Sequence, residues 1–200
     1  MSQQRCPWAC ASQHEVHYHD QEWGIPVNED QALFELLTLE GAQAGLSWST
    51  ILQKRAGYRQ VFKHFDVNAV AAMTASELDQ AMQDSRIVRH RLKIQATVNN
   101  ARCVQQLQQT HNSFSEFIWS FVNGQPVQNA WTHASQVPVS TPVSEQMSKA
   151  LKQQGFKFVG PTICYAFMQA AGLVNDHLTD CFRYSEVGDL RSPSKPRVKK

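Results

Sequence analysis

Along most of this chain apolar side chains recur every three or four positions, separated by short polar connectors, and few stretches alternate with period two. The spacing of Leu92, Ile94, Val98, Ala101, Val104 and Leu107 predicts one long helix over RHRLKIQATVNNARCVQQLQQ, because at 3.6 residues per turn these positions share a face. Start signals mark further helices. Asn28 with Gln31 resembles a capping box opening QALFELLTLEGAQAG, and Ser47 is placed to cap SWSTILQKR. Thr74 with Glu77 precedes LDQAMQD, and Ser113 with Glu116 precedes FIWSFV. Pro142 after Thr141 suits the first turn of SEQMSKALKQQ. The expectation is a mainly α protein with little or no sheet.

The stretch ALKQQGFKFVGPTICYAFMQAAG predicts a sharper feature. Gly155 is a natural helix C-cap, because glycine adopts positive φ freely, and Gly160 with Pro161 opens the next helix. The result is helix, tight turn, helix. Amides at the start of the second helix lack intrahelical acceptors, and the helix dipole there favours an anion. This is the physics of a helix-hairpin-helix element, which grips a DNA phosphate without reading bases. Lys157 in the turn adds charge, although a plain helical corner uses the same glycines. A second candidate contact is SRIVRHRLK, with Arg86, Arg89, Arg91 and Lys93 around His90; an exposed charged helix face explains it equally well.

Composition narrows the function classes. At 200 residues the chain can bury a sizeable core without disulfides or metals. Hydrophobic residues at 42% and aromatics at 10% exclude a disordered or fibrous protein. Nineteen Lys+Arg against 17 Asp+Glu leave a net charge of +2, too little to hold a polyanion by bulk charge, so any DNA binding must rest on a local grip. No apolar run approaches the roughly 20 residues of a membrane span. The opening MSQQRCPWAC has no hydrophobic signal core, so a cytoplasmic protein is expected. The end, LRSPSKPRVKK, carries Arg191, Lys195, Arg197, Lys199 and Lys200. Residues 186–200 are expected to form a solvated basic tail beyond a single folded unit at 1–185.

Five cysteines, an odd number, argue for thiols rather than a disulfide framework. Cys103 and Cys164 lie in apolar-periodic segments and are expected in the core. Cys6 and Cys181 have histidines nearby. In NDHLTDC, His177 and Cys181 are four apart, which on a helix puts both on one face; the other end offers Cys6, Cys10, His14, His17 and His19. Two ligands from each end would make a closed Cys₂His₂ zinc site that ties the termini together, with the N-terminal pair left open by the spacing. The first quarter also gathers Trp8, Tyr18, Trp23 and Trp48, with Glu40 inside the apolar LLTLEGAQAGLSW. Aromatics around one carboxylate suit a flat, cationic or donor-bearing ring. The plain alternative puts the tryptophans in the core and Glu40 in water.

The strings YHDQEWG, LEGAQAGLSWSTIL, FKFVGPTICYAFMQA and GLVNDH closely resemble the bacterial 3-methyladenine DNA glycosylase I family, within the helix-hairpin-helix glycosylases, from Cys6 to about Cys181. The resemblance implies a helix-hairpin-helix glycosylase fold and a monofunctional enzyme. It would flip N3-methyladenine out of alkylated duplex DNA and hydrolyse the N-glycosidic bond. It places Glu40 and Tyr18 against the base, Trp48 stacked on it, and Trp8 and Trp23 completing the recess. Leu46, in the bend with the DNA-binding Gly45, then enters the gap left in the duplex, while Gly155, Lys157 and Gly160 grip the backbone. Cys6, His19, His177 and Cys181 become the ligands of one structural Zn²⁺, leaving Cys10, His14 and His17 as bystanders. Partners are alkylated duplex DNA and free 3-methyladenine, with a monomeric chain and no membrane. One departure stands out: relatives often carry a recess tyrosine where this chain has Glu15. Asp176 lies near the position of an aspartate used by the wider superfamily, and Lys157 is not expected to form a Schiff base. The alternative is a non-enzymatic helix-hairpin-helix DNA-binding module, which would leave Glu40, Tyr18 and Trp48 without a job.

Overall fold

The computed structural model describes residues 3–190. Ten α-helices follow one another: α1 (Gln13–Gln21), α2 (Asp30–Gln43), α3 (Trp48–Val61), α4 (Val67–Ala71), α5 (Ala75–Gln83), α6 (Arg91–Thr110), α7 (Phe114–Ser120), α8 (Pro142–Gln153), α9 (Pro161–Ala170) and α10 (Arg183–Gly188). Two two-residue strands, β1 (Val127–Gln128) and β2 (Val174–Asn175), pair in parallel, Val127 opposite Val174. The mainly helical expectation holds, with this one pair as its sheet.

Helix α2 is the axis of the molecule. Every residue from Leu33 to Ala42 is buried, which explains why this helix is apolar almost all round rather than on one stripe. It packs against α3, α6, α7 and α9. Its start differs from the sequence reading. Glu29, not Asn28, occupies the cap position, with no side-chain cap bond, and the Gln31 amide donates instead to the His64 carbonyl. The Asp30 carboxylate accepts from the Phe114 and Ser115 amides at 3.0 and 2.7 Å, so an acid of α2 satisfies the first amides of α7.

The other start signals match the structure. Ser47, Thr74, Ser113 and Thr141 each accept the amide three residues on, and Thr74 with Glu77 forms the reciprocal box. Helix α6 follows its predicted face, except that Leu92, in the first turn, is 62% exposed. His177 and Cys181 do not share a helix. They stand in an irregular turn in which the Cys181 amide donates to the Leu178 carbonyl at 2.8 Å. Helix α10 runs to Gly188, past the boundary expected near 185, and residues 191–200 of the basic tail lie outside the described residues. Among the described residues no helix is long and apolar enough to cross a membrane.

Candidate active site

Four side chains from the two ends of the fold converge in the core: Cys6, His19 on α1, and His177 and Cys181 beyond β2, all buried, with ligand atoms within 4.8 Å of one another. Cys6 Sγ lies 3.7 Å from His177 Nδ1, and Cys181 Sγ lies 3.6 Å from His177 Nδ1 and 3.4 Å from His19 Nε2. Bond lengths of about 2.3 Å to sulfur and 2.0–2.1 Å to nitrogen give an S···N edge of about 3.6 Å in a tetrahedron. The donor set and its edges therefore fit a four-coordinate metal. The outer groups fit as well. His19 Nδ1 is 2.8 Å from Asp20, which Arg5 holds through two nitrogens, and His177 Nε2 is 3.1 Å from the Trp23 carbonyl. The hydrogen bond between the two sulfurs lowers the Cys181 thiol, helped by His177 and His19, and raises the Cys6 thiol. Cys10, His14 and His17 are exposed and take no part, while Cys103 and Cys164 are buried in the core.

A cavity of about 510 Å³ adjoins this cluster, with Cys6 in its wall. Trp8, Tyr18, Trp23 and Trp48 line one side, with Glu40 between them. The rings brace one another edge-on: Trp8 and Trp23 are 5.0 Å apart at 72°, and Tyr18 and Trp48 are 5.3 Å apart at 57°. Trp23 also meets the His177 ring at 4.6 Å and 81°, so one tryptophan belongs to both the metal cluster and the cavity wall.

Helix α2 carries two buried carboxylates in opposite circumstances. Glu35 accepts from Arg55 and Arg59 at 2.6 and 2.9 Å. Glu40 makes no hydrogen bond with any described residue, and burial alone pushes its carboxyl up to about 8. The Tyr18 hydroxyl is buried and unpartnered too, raised by burial and by the nearby Glu40. An unpaired buried polar group costs about 1–3 kcal/mol, and here a donor and an acceptor stand together in an aromatic recess. A flat ligand with both kinds of edge would satisfy them.

Sequence reasoning missed the opposite wall, formed by Val137, Pro138, Thr162, Tyr165 and Gln169. Val137 and Pro138 lie in an irregular connector that no period marks, whereas Thr162, Tyr165 and Gln169 share one face of α9 at helical spacing, a signal that was available in the sequence. Asp176 belongs to the same wall, and its two oxygens accept from Asn129, Trp131, Tyr165 and Gln169 at 2.6–2.8 Å. With all its acceptor positions engaged, it acts as a brace rather than a free base. Glu15 also lines the cavity, buried, with Oε2 accepting from Ser12 Oγ at 3.0 Å.

Two exposed features flank the cavity. Ala44–Ser47 between α2 and α3 is exposed throughout, with Gly45 at φ +80° and Leu46 41% exposed. The corner between α8 and α9 closes with Gly155 at φ +88°, its amide bonding to Lys152 and that of Phe156 to Leu151. Gly160 then caps α9 without a side chain, leaving the first amides open beside exposed Lys157. The middle of this corner packs closely on α2, because a Cβ on Gly41 would lie 3.2 Å from Phe158. The second basic candidate is less free than it reads. Arg86 pairs with Asp84, Arg91 pairs with Asp79, and Lys93 turns inward, leaving Arg89 and His90 exposed.

A glycine-lined helical corner beside an aromatic, carboxylate-bearing recess of this size defines a DNA glycosylase scaffold. The chain belongs to the methyladenine glycosylase family, whose model matches residues 8–184. It is 51% identical over 181 residues to DNA-3-methyladenine glycosylase 1 of Escherichia coli, covering 90% of this chain and 97% of that one. To DNA-3-methyladenine glycosylase of Haemophilus influenzae it is 50% identical, covering 88% and 96%. The solved structure of 3-methyladenine DNA glycosylase I from Staphylococcus aureus superposes with a TM-score of 0.86 at 44% identity, over 88% of this chain and 94% of that one. A variant of 3-methyladenine DNA glycosylase I in complex with 3-methyladenine is equally close, with a TM-score of 0.86 at 43% identity over 88% and 95%.

The state of Glu40 sets a pH dependence of stability. The folded chain keeps this proton to about 8, whereas an ordinary glutamate loses it near 4.5. Between these values the folded state holds a proton that the unfolded state has released, so this group lowers stability as pH rises through the window and adds nothing further above it. Glu40→Gln removes the effect. In thermal melts, the variant's Tm relative to the parent is expected to climb by roughly 5 °C or more across that window. A constant difference would mean that Glu40 ionises normally.

Proposed function

We propose that this protein excises N3-methyladenine from alkylated duplex DNA by hydrolysing the N-glycosidic bond, releasing the free base and leaving an abasic site. The observation that carries the reading is Glu40, buried without a hydrogen bond to any described residue, together with the unpartnered Tyr18 hydroxyl, among tryptophans in a cavity of about 510 Å³ that admits a purine. The base must leave the stack, at a cost of a few kcal/mol. The open amides after Gly160, with Gly155 and Lys157, hold a backbone phosphate, while Leu46, in the bend with Gly45, fills the vacated place. N3-methylation puts a positive charge on the ring, which favours stacking on Trp48 and the other tryptophans and stabilises the ionised form of Glu40, whose proton is lost to solvent as the base enters. Glu40 then accepts from the base as a carboxylate and offsets charge on the sugar as the bond breaks. The departing base leaves neutral, so little acid catalysis is needed and selectivity rests with the recess.

The metal belongs to the scaffold. Cys6, His19, His177 and Cys181 would hold one Zn²⁺, whose four protein ligands leave no position for a water. Its contribution is to fix the wall that Trp8 and Trp23 form. The cavity is complete within one chain, which supports a monomer acting on duplex DNA. Five unpaired cysteines suit a reducing cytoplasm.

Chromatography of bases released from methylated duplex DNA tests the reading. The parent protein is expected to release 3-methyladenine and little 7-methylguanine, and Glu40→Gln to lower the rate by about 100-fold while the protein stays folded. No release from folded, metal-loaded parent protein would leave a DNA-binding module. Strong chelators are expected to remove one Zn²⁺ per chain and lower Tm by roughly 10 °C, with Cys181→Ser acting alike. A chelated protein with unchanged Tm and no zinc on elemental analysis would contradict the structural site.

A further inference from the structure

Lys93 is half-buried and makes an unusual pair of contacts. It stands in the first turn of α6, yet its ammonium reaches across to the end of α2 and donates to the carbonyls of Ala42 at 2.8 Å and Ala44 at 2.7 Å. Among the described residues no carboxylate pairs with it, and burial lowers its pKa. A cation suits that place because the last carbonyls of α2 are orphans carrying the negative end of the helix dipole. The first turn of its own helix, by contrast, disfavours it.

The other contacts of α6 give this position its meaning. One helix turn pair further on, Asn99 donates to the Gly155 carbonyl at 2.8 Å. Asn100 donates to the Lys157 carbonyl at 2.9 Å and accepts from the Lys157 amide at 2.8 Å. Lys93, Thr97 and Asn100 share a face, seven residues spanning about 10 Å of axis. That face therefore holds the start of the Ala44–Ser47 loop at one end and the helical corner at the other. Lys93, Asn100, Gly41, Lys157 and Phe158 line one small cavity where the three elements meet.

We propose that Lys93 is a positioning residue for base extrusion: by pinning the carbonyls of Ala42 and Ala44 it fixes Leu46 at a set distance from the phosphate grip, with α6 as the ruler. The proposal rests on the glycosylase reading. Lys93 touches neither base nor reacting bond. The loop itself has little else to hold it, since Gly45 is left-handed with nothing within 4 Å of a Cβ and Leu46 is bonded back only through its amide to Gln43 at 2.7 Å. A phosphate contact by the same lysine would predict a different signature, which separates the two roles.

The test compares the parent protein with Lys93→Met and Lys93→Arg in single-turnover release of 3-methyladenine from methylated duplex, at saturating protein. Affinity for undamaged duplex and for free 3-methyladenine is measured alongside. Lys93→Met is expected to slow release about tenfold or more, with duplex affinity within about threefold and free-base affinity within about twofold of the parent. Lys93→Arg, which keeps the donors, is expected to recover most of the rate. An unchanged rate would overturn the proposal, with weakened duplex binding assigning Lys93 to a phosphate. Parallel loss of rate and free-base affinity would also overturn it, because the whole of α2 would then have moved. Failure of the parent to release base would instead remove the glycosylase reading on which the proposal rests.

Discussion

Burying a carboxylate without a cation is the constraint around which this molecule is arranged. Helix α2 is enclosed on all sides, and that enclosure strips water from both Glu35 and Glu40. The fold answers the first with two arginines and leaves the second unanswered. A protein selected for stability alone would pair or replace Glu40, since an unmatched buried acid is among the costlier features a core can carry. The same absence makes the recess selective. On the proposed reading, a neutral purine meets a protonated acid, whereas a cationic one favours loss of that proton to solvent and meets a carboxylate.

Holding such a recess open requires walls that do not collapse onto the acid. The structure supplies them from opposite ends of the chain. Cys6 and His19 come from the first turns, His177 and Cys181 from the last, and Trp23 packs edge-on against His177 while forming the cavity wall with Trp8. A metal at this point would fix the termini and the aromatic wall in one step. On the far side Asp176 gathers four donors from the 129–131 connector and α9, so a second carboxylate is spent on rigidity. Glu40, Glu35 and Asp176 show how environment divides similar groups into one left unpartnered, one ion-paired and one used as a brace.

Local chemistry made much of this legible in the sequence. Ser47, Thr74, Ser113 and Thr141 cap helices by contacts three residues long, and Gly155 marks the corner through a positive φ that few other residues adopt, with Pro161 opening the next helix. The resemblance to a family then drew Cys6, His19, His177 and Cys181 together, and the geometry brings the same four side chains into one cluster. Non-local features were hidden. Asp30 serves a helix more than 80 residues away, which no window around Asn28 and Gln31 reveals. The turn holding His177 and Cys181 has no period, and spacing by four suggested a helix that the metal-ligand geometry does not need. Lys93 read as surface charge because its two acceptors lie some 50 residues earlier. Glu15 is legible as a departure, and the structure adds that it is buried at the cavity edge with Ser12 as its partner.

The protonation of Glu40 is the quantity on which the account turns, and it can be read directly from the carboxyl carbon by NMR on protein labelled at glutamate, with Glu40→Gln identifying the signal. The free protein is expected to titrate with a midpoint near 8, and the signal at neutral pH to move toward the carboxylate position when methylated duplex is added. A midpoint near the ordinary 4.5 in the free protein, unchanged by the duplex, would contradict the claim that an unmatched buried acid selects the base.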